Sequence, residues 1–195
     1  MSPGVQFKLY PCCGSITGCI DAILYLIHNK EIIPQDIKEI ECLVSPLAMT
    51  TGASITSPKN GSEGRFSLNY CMAIAVIEND VSLLQFSDEK VNLPLAKDLA
   101  SKVKVTFPSD AINEMQQPQE VKVKLRNGKV YSRKVEKHKG TPDNPCTSEE
   151  LENKFRRCAL LKLRENSVEQ LFALISNIEK LGNMNRLMEL MTYGK

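Results

Sequence analysis

Apolar and polar positions alternate most cleanly in the middle of the chain, where Val121, Val123 and Leu125 interleave with Lys122, Lys124 and Arg126. A period of two marks a strand with one face packed and the other wet. Asn127-Gly128 follows, and an apolar-edged run from Val130 to Val135 returns, which predicts a hairpin closed by a type I′ turn. Elsewhere the period is helical. Ile16, Ile20, Ile23, Leu24 and Ile27 predict a helix over residues 15–29. Phe66, Tyr70, Ala73, Ile74 and Ile77 predict a second one, ended by Asn79-Asp80, and the apolar residues between them bury it on most sides. After the break at Pro34, residues 37–44 have the isoleucine and valine content of a strand. A short helix over residues 93–102 leads into a strand at 103–107. Residues 1–14 read as an extended lead ending in a Pro11-Cys-Cys-Gly14 turn. The Ser, Thr, Gly, Pro and Asn content of residues 45–64 predicts a long loop with little local structure, of the kind that is more often functional or mobile than idle.

The last quarter reads differently. Pro142 and Pro145 hold the chain extended, so no helix begins before Cys146. Thr147 and Glu150 then fit a capping box, and Leu151, Phe155, Cys158 and Ala159 form an apolar stripe that meets water at Lys162. Asn166 or Ser167 caps a run carrying Val168, Leu171, Phe172 and Ile175, with Gly182 as its stop. Met184, Leu187, Met188 and Met191 make a final amphipathic turn or two. The layout is α+β: a small, mainly antiparallel sheet packed with helices over residues 1–143, then an all-helical segment over 144–195. The tail's stripes need a surface to cover them, so exposed apolar patches at Leu171, Phe172, Leu187 and Met191, or self-association, are expected.

Composition narrows the chemistry. The chain has 195 residues, 42% of them apolar, and a net charge of +2, too small to point to nucleic acid or a membrane surface. Seven cysteines occur with no Cys-x-x-Cys pair and only two histidines. That spacing argues against a zinc site or a disulfide framework and for reduced thiols used as small core residues. No secretory signal or membrane-length apolar run is evident, and a cytoplasmic protein is expected. Residues 122–139 carry Lys122, Lys124, Arg126, Lys129, Arg133, Lys134, Lys137 and Lys139 against Glu120 and Glu136 nearby. With Tyr131 as the one aromatic available to stack on bases, a solvated hairpin face is the reading preferred over a polyanion-binding one. His138 reads as a solvated loop residue.

Three strings carry a resemblance. They are Lys8-Leu-Tyr-Pro-Cys-Cys-Gly-Ser-Ile-Thr-Gly-Cys-Ile-Asp-Ala22, Gly64-Arg-Phe-Ser-Leu-Asn-Tyr70, and Gly140-Thr-Pro-Asp-Asn-Pro-Cys-Thr-Ser-Glu-Glu-Leu-Glu-Asn-Lys-Phe155. In this order, with the hairpin between the last two, they resemble the carboxy-terminal part of the MmgE/PrpD family of metal-free dehydratases and decarboxylases of tricarboxylic acids. The resemblance implies a lid domain and returning helices, no cofactor and no metal. It also implies a tricarboxylate substrate of the 2-methylcitrate or cis-aconitate type. Completion would come from the family's large helical amino-terminal domain or from a homo-oligomer, and the chain alone would be inactive. One departure stands out: Thr17 falls where the family has the histidine of a Thr-His step. A threonine hydroxyl cannot shuttle protons near neutral pH, and His28 lies about three turns away on the same helix.

Such chemistry needs cations to hold carboxylates and an acid or base at the reacting carbon. Lys8 and Arg65 are candidate clamps, Lys8 also a candidate catalytic group; the bland alternative for both is surface charge. Gly14, Ser15 and Gly18 open a helix, where free backbone donors favour an anion or simply start the helix. Cys13, beside the same helix start, is a candidate reactive thiol or ordinary packing. Thr17 and Tyr70 complete the candidate catalytic set by resemblance, Tyr70 being equally a core tyrosine with a backbone partner. Asp21 reads as a residue holding the lead-in loop.

Overall fold

The computed structural model describes residues 4–51, 53–108 and 117–192. They fall into two compact units, residues 1–145 and 146–195.

In the first unit, a 3-10 turn at Gly14–Ile16 runs into α1 (Thr17–Asn29), and a second at Pro34–Asp36 runs into β1 (Ile37–Leu43). There follow α2 (Leu47–Thr51), α3 (Gly61–Gly64), α4 (Leu68–Glu78), α5 (Asp88–Val91), α6 (Pro94–Ser101), β2 (Val103–Thr106), β3 (Gln119–Leu125) and β4 (Val130–Val135). The sheet order is β2-β1-β3-β4; β1 pairs with β2 in parallel and with β3 antiparallel, and β3–β4 is the hairpin. This is the expected α+β fold with a mainly antiparallel sheet.

The sheet is two-faced because its sequence alternates. Ile37, Ile40, Cys42, Val103, Val121, Val123 and Leu125 point inward to the layer of α1, α4 and α6. The other face sets Glu39 opposite Lys124, Glu41 opposite Lys122 and Lys104, and Glu120 opposite Lys134. Lys104 pairs with Glu39, and Lys122 lies 3.9 Å from Glu41 and 3.8 Å from Glu120. The lysines of β3 and β4 are thus matched by carboxylates across the strands, the arrangement of a solvated face; each pair contributes little by itself. The helix α4 has no wet side: residues 68–76 are all buried, so it forms the centre of the layer. Its N-terminus is capped by Ser67, whose hydroxyl accepts from the Tyr70 N–H, and it ends at Asn79 in the left-handed conformation, φ 56°.

Three local expectations need correction here. The hairpin does not close in a type I′ turn, because Asn127 does not have positive φ; Gly128 does, at 87°. The Gly128 N–H donates to Leu125 and the Leu125 N–H to Lys129, a three-residue loop with glycine at the bulge position. The stretch 45–64 is not unstructured, since it contains α2 and α3 and buries Ala48 and Ala53 (Gly52 lies outside the described residues). Its anchors come from far along the chain: Asp88 accepts from the Gly61 N–H and the Asn92 amide donates to the Lys59 carbonyl. Phe66 lies outside α4 and is exposed. Residues 4–8 of the lead form no regular element, and residues 1–3 lie outside the described residues.

The second unit is α7 (Ser148–Ala159), α8 (Glu165–Ile175), a 3-10 turn at Ile178–Lys180 and α9 (Asn185–Thr192). The capping box at Thr147 and Glu150 forms in both directions. Leu171, Leu187 and Leu190 make a small core with Phe155, Leu163, Leu174 and Leu181 against it. Leu171 and Leu187, expected as exposed patches, are therefore buried, whereas Met191 is exposed as expected. Phe172 lies against Phe155, with the Arg156 guanidinium over its ring. Cys158 faces solvent, off the expected stripe. The α8 helix stops at Ile175 rather than at Gly182, and its cap position is Arg164, with no capping side chain; the Asn166 carbonyl accepts from Gln170 instead.

Candidate functional site

The 3-10 turn that opens α1 is where the first two strings meet. The Cys13 N–H donates to the Arg65 carbonyl, 3.0 Å, which ties the turn to the segment before α4. Inside the turn the side chains are spent on protein partners. The Cys13 thiol donates to the Thr51 carbonyl at 3.0 Å and lies 3.0 Å from the Ser15 hydroxyl. Thr51 Oγ1 is also 3.0 Å from Ser15 Oγ. The Thr17 hydroxyl donates back to the Gly14 carbonyl, a local bond that occupies it at the helix start. Cys13, Ser15 and Thr17 are buried, and Gly14 is half-exposed.

Behind the turn stands a residue that the sequence reading missed. Gln119, at the start of β3, is 3% exposed and bridges both chain directions of the helix start. Its amide donates to the Ser15 carbonyl and its carbonyl accepts from the Cys19 N–H, each at 2.8 Å. A Cβ on Gly18 would stand 3.0 Å from Gln119 Oε1, so glycine there serves this close approach rather than an anion. The signal was present in the alternation itself: Gln119 falls in the inward phase of Val121, Val123 and Leu125, and a polar residue on an apolar phase needs a partner.

Two of the expected residues face solvent at this turn. Lys8 is exposed, with Cε 4.0 Å from the place a Cβ on Gly14 would take, and Arg65 is exposed. Tyr70 is not with them. Its ring is 1% exposed, lies edge-on to Phe86 at 5.9 Å, and its hydroxyl donates to the Gln85 carbonyl. Burial raises the phenol above its ordinary pKa, so it stays protonated as a donor. The cavity of about 140 Å³ that Tyr70 lines is bounded by Thr56, Ser57, Pro58, Val91, Ala96, Lys97, Ala100 and Ser101, and includes neither Lys8 nor Arg65.

The remaining buried thiols show the chemistry of packing. Contact with Cys42, then burial, holds the Cys19 thiol up; contact with Cys12, then burial, does the same for Cys71. Thiols kept neutral in this way are poor nucleophiles and poor metal ligands. No three His, Cys, Asp or Glu side chains among the described residues gather as a metal-binding group. No helix among them is long and apolar enough to cross a membrane. His138, expected as a solvated loop residue, is half-buried, its carbonyl accepting from the Thr141 hydroxyl.

What the arrangement offers is two exposed cations on segments joined at one turn, Lys8 near Gly14 and Arg65 through its carbonyl on Cys13, with the turn held by Cys13, Ser15, Thr51 and Gln119. Among the described residues of the turn, the Cys13 thiol and the Ser15 and Thr17 hydroxyls each have a protein partner.

The family model for the MmgE/PrpD C-terminal domain matches residues 10–180. Over 192 residues the chain is 25% identical to a cis-aconitate decarboxylase of Homo sapiens, covering 96% of this chain and 40% of that protein. It is 26% identical over 193 residues to the cis-aconitate decarboxylase of Mus musculus, with 96% and 39% covered. The Aspergillus terreus (strain NIH 2624 / FGSC A1156) protein of the same name is 25% identical over 198 residues, with 96% and 40% covered. The chain spans about two fifths of the length of these curated relatives. It belongs to the MmgE/PrpD family.

Proposed function

We propose, with membership of that family as the premise, that this chain is the carboxy-terminal portion of a metal-free lyase acting on a tricarboxylate of the 2-methylcitrate or cis-aconitate type. The reaction is a dehydration, hydration or decarboxylation. In this reading Lys8 and Arg65 hold substrate carboxylates, and Gly14 lets the backbone of the turn come close to one of them. Cys13, Ser15 and Thr17 position the turn; Tyr70 stiffens the base of the Arg65 segment from the core. The single observation that carries the reading is the joining of the Lys8 and Arg65 segments at one turn, through the Cys13–Arg65 backbone bond.

The proton chemistry is then completed by groups outside this chain, in the portion of the relatives that it does not span or in a second copy. Two observations support this. The hydroxyl of Thr17, standing where the family has histidine, is bonded to Gly14, and both clamps are exposed. The helices of residues 146–195 belong, in this reading, with that absent portion. A cytoplasmic setting suits the unpaired cysteines. The same Thr17 observation supports a second reading, a non-catalytic interaction domain derived from the family. The polyanion version of it is opposed by the cross-strand carboxylates of the sheet.

The test is calorimetric titration of the chain with citrate and with cis-aconitate at low salt. Binding that falls by about tenfold in Lys8→Ala and again in Arg65→Ala is expected, the weight of a charge-assisted contact. Absence of binding, or binding indifferent to both substitutions, refutes the clamp assignment and favours the interaction domain.

A further inference from the structure

Asp21 stands at a junction that the proposed clamps do not by themselves explain. It is half-buried in the second turn of α1. One carboxylate oxygen accepts from the Tyr10 hydroxyl at 2.7 Å, and the other accepts from the Lys139 backbone N–H at 2.7 Å. Those donors lie 11 and 118 residues away along the chain, on two segments without regular structure of their own.

The two segments also hold each other. The Phe7 N–H donates to the Gly140 carbonyl at 2.9 Å, and Gly4 sits so close to Pro142 that an added Cβ would stand 3.0 Å from its ring. The 137–144 turn is stiffened from within, by the Gly140 N–H to Asn144, the Thr141 hydroxyl to His138 and the Asn144 amide to Lys137. Lys8 therefore lies between two fixed points, Phe7 on the turn and Tyr10 on Asp21. A lysine on a loose lead would spread its ammonium over many positions; one held on both sides does not.

We infer that Asp21 is a positioning residue: its carboxylate fixes the Lys8 segment against α1 and the 137–144 turn, and so sets where the Lys8 ammonium stands. A carboxylate suits the place because both partners are donors and it offers two acceptors. Asparagine can replace it in part, accepting from Lys139 while its amide turns to the Tyr10 oxygen. Alanine removes both of these acceptors. The functional consequence rests on the clamp reading above; the mechanical one does not.

Two measurements on the whole chain separate them. Amide hydrogen exchange and 15N relaxation at Phe7, Lys8 and Lys139 read the position directly. Asp21→Ala is expected to speed exchange at Lys139 and Phe7 by about tenfold or more and to raise the mobility of Lys8, with the amides of α4 and β3 unchanged. Tyr10→Phe, which removes the hydroxyl that Asp21 holds and keeps the ring, is expected to give a smaller effect at Lys8, and Asp21→Asn to restore most of the order. Unchanged exchange and mobility in Asp21→Ala overturn the inference. Citrate titration then reads the consequence: Asp21→Ala weakens binding, and the Asp21→Ala/Lys8→Ala double variant binds no worse than Lys8→Ala. Losses that simply add overturn a role exercised through Lys8. If the native chain binds no tricarboxylate, the functional reading fails, while the mobility of Lys8 still decides the placement by Asp21.

Discussion

The two units solve the same burial problem with different success. In residues 1–145 the helices α1 and α4 lie against a sheet, and a continuous core runs from Cys12 to Leu125 with the buried amide of Gln119 paired at both ends. In residues 146–195 the core is Leu171, Leu187 and Leu190, while Leu160, Ile175, Ile178, Met184, Met188 and Met191 stay exposed. Local signals are not what differ. The Thr147 capping box is formed as fully as any cap in the chain, and α7 to α9 are amphipathic. What differs is a second layer: α1, α6 and the sheet together cover α4, and three short helices alone cannot do so for one another. The lesson is that a helix can be locally specified and still lack most of its stabilising surface, which supports the proposal that these helices belong with a larger body.

Hydrogen exchange puts the largest number on that contrast. Amides of β1, β3 and α4 are expected to exchange about a thousandfold or more slowly than those of α8 and α9, the gap between global and local opening. Comparable protection in both units would erase the comparison. Cavity-forming substitutions sharpen it next. Ile74→Ala, at a fully buried position of α4, is expected to cost about 2–5 kcal/mol in denaturant unfolding of the first unit. Leu171→Ala should leave that transition in place and loosen the second unit alone; a shift of both together would show one cooperative body. Within the first unit, Gly18→Ala drives a methyl into Gln119 and is expected to cost about 1–3 kcal/mol, in part recovered by Gln119→Ala, which removes the group it strikes.

The smallest effect is the dependence on acid. Arg156 reaches from α7 to Glu169 on α8 and holds that carboxyl below the ordinary carboxylate range. A depressed acid contributes stability that is present above its unfolded pKa, about 4.3 for glutamate, and is lost as pH falls through the lowered folded value. Mild acid should therefore relax the α7–α8 pairing, read by the Phe155 and Phe172 ring signals, and Glu169→Gln should remove that response. Because the pair is solvent-exposed, the change is small.

Much of this was legible in the chain. Helical spacing located α1 and α4, alternation and the Asn-Gly step located the β3–β4 hairpin, and isoleucine and valine content located β1; α6 and β2 were placed as well. The turn at Asn127-Gly128 was placed correctly but typed wrongly, since Asn-Gly serves a type I′ turn or a bulged three-residue loop, and strand register decides between them. The Ser45–Gly64 region hid α2 and α3 because its anchors, Asp88 and Asn92, sit some thirty residues on and leave no local pattern. Of the site, the family strings named Lys8, Cys13, Gly14, Ser15, Thr17, Arg65 and Tyr70; the Cys13–Arg65 bond joins the segments of the first six, while Tyr70 lies in the core. Asp21 was read as holding the lead-in loop, but its bond to Lys139 and the role of Gln119 were less legible, because a polar side chain shows its purpose only when its partners, up to 118 residues away, are known.

The fate of cis-aconitate mixed with the purified chain, followed by NMR, tests the central claim most directly. An open, incomplete site predicts line-broadening of the ligand that depends on Lys8 and Arg65, with no product formed. Conversion of cis-aconitate by the chain alone, whether by loss of carbon dioxide or by hydration, would contradict it.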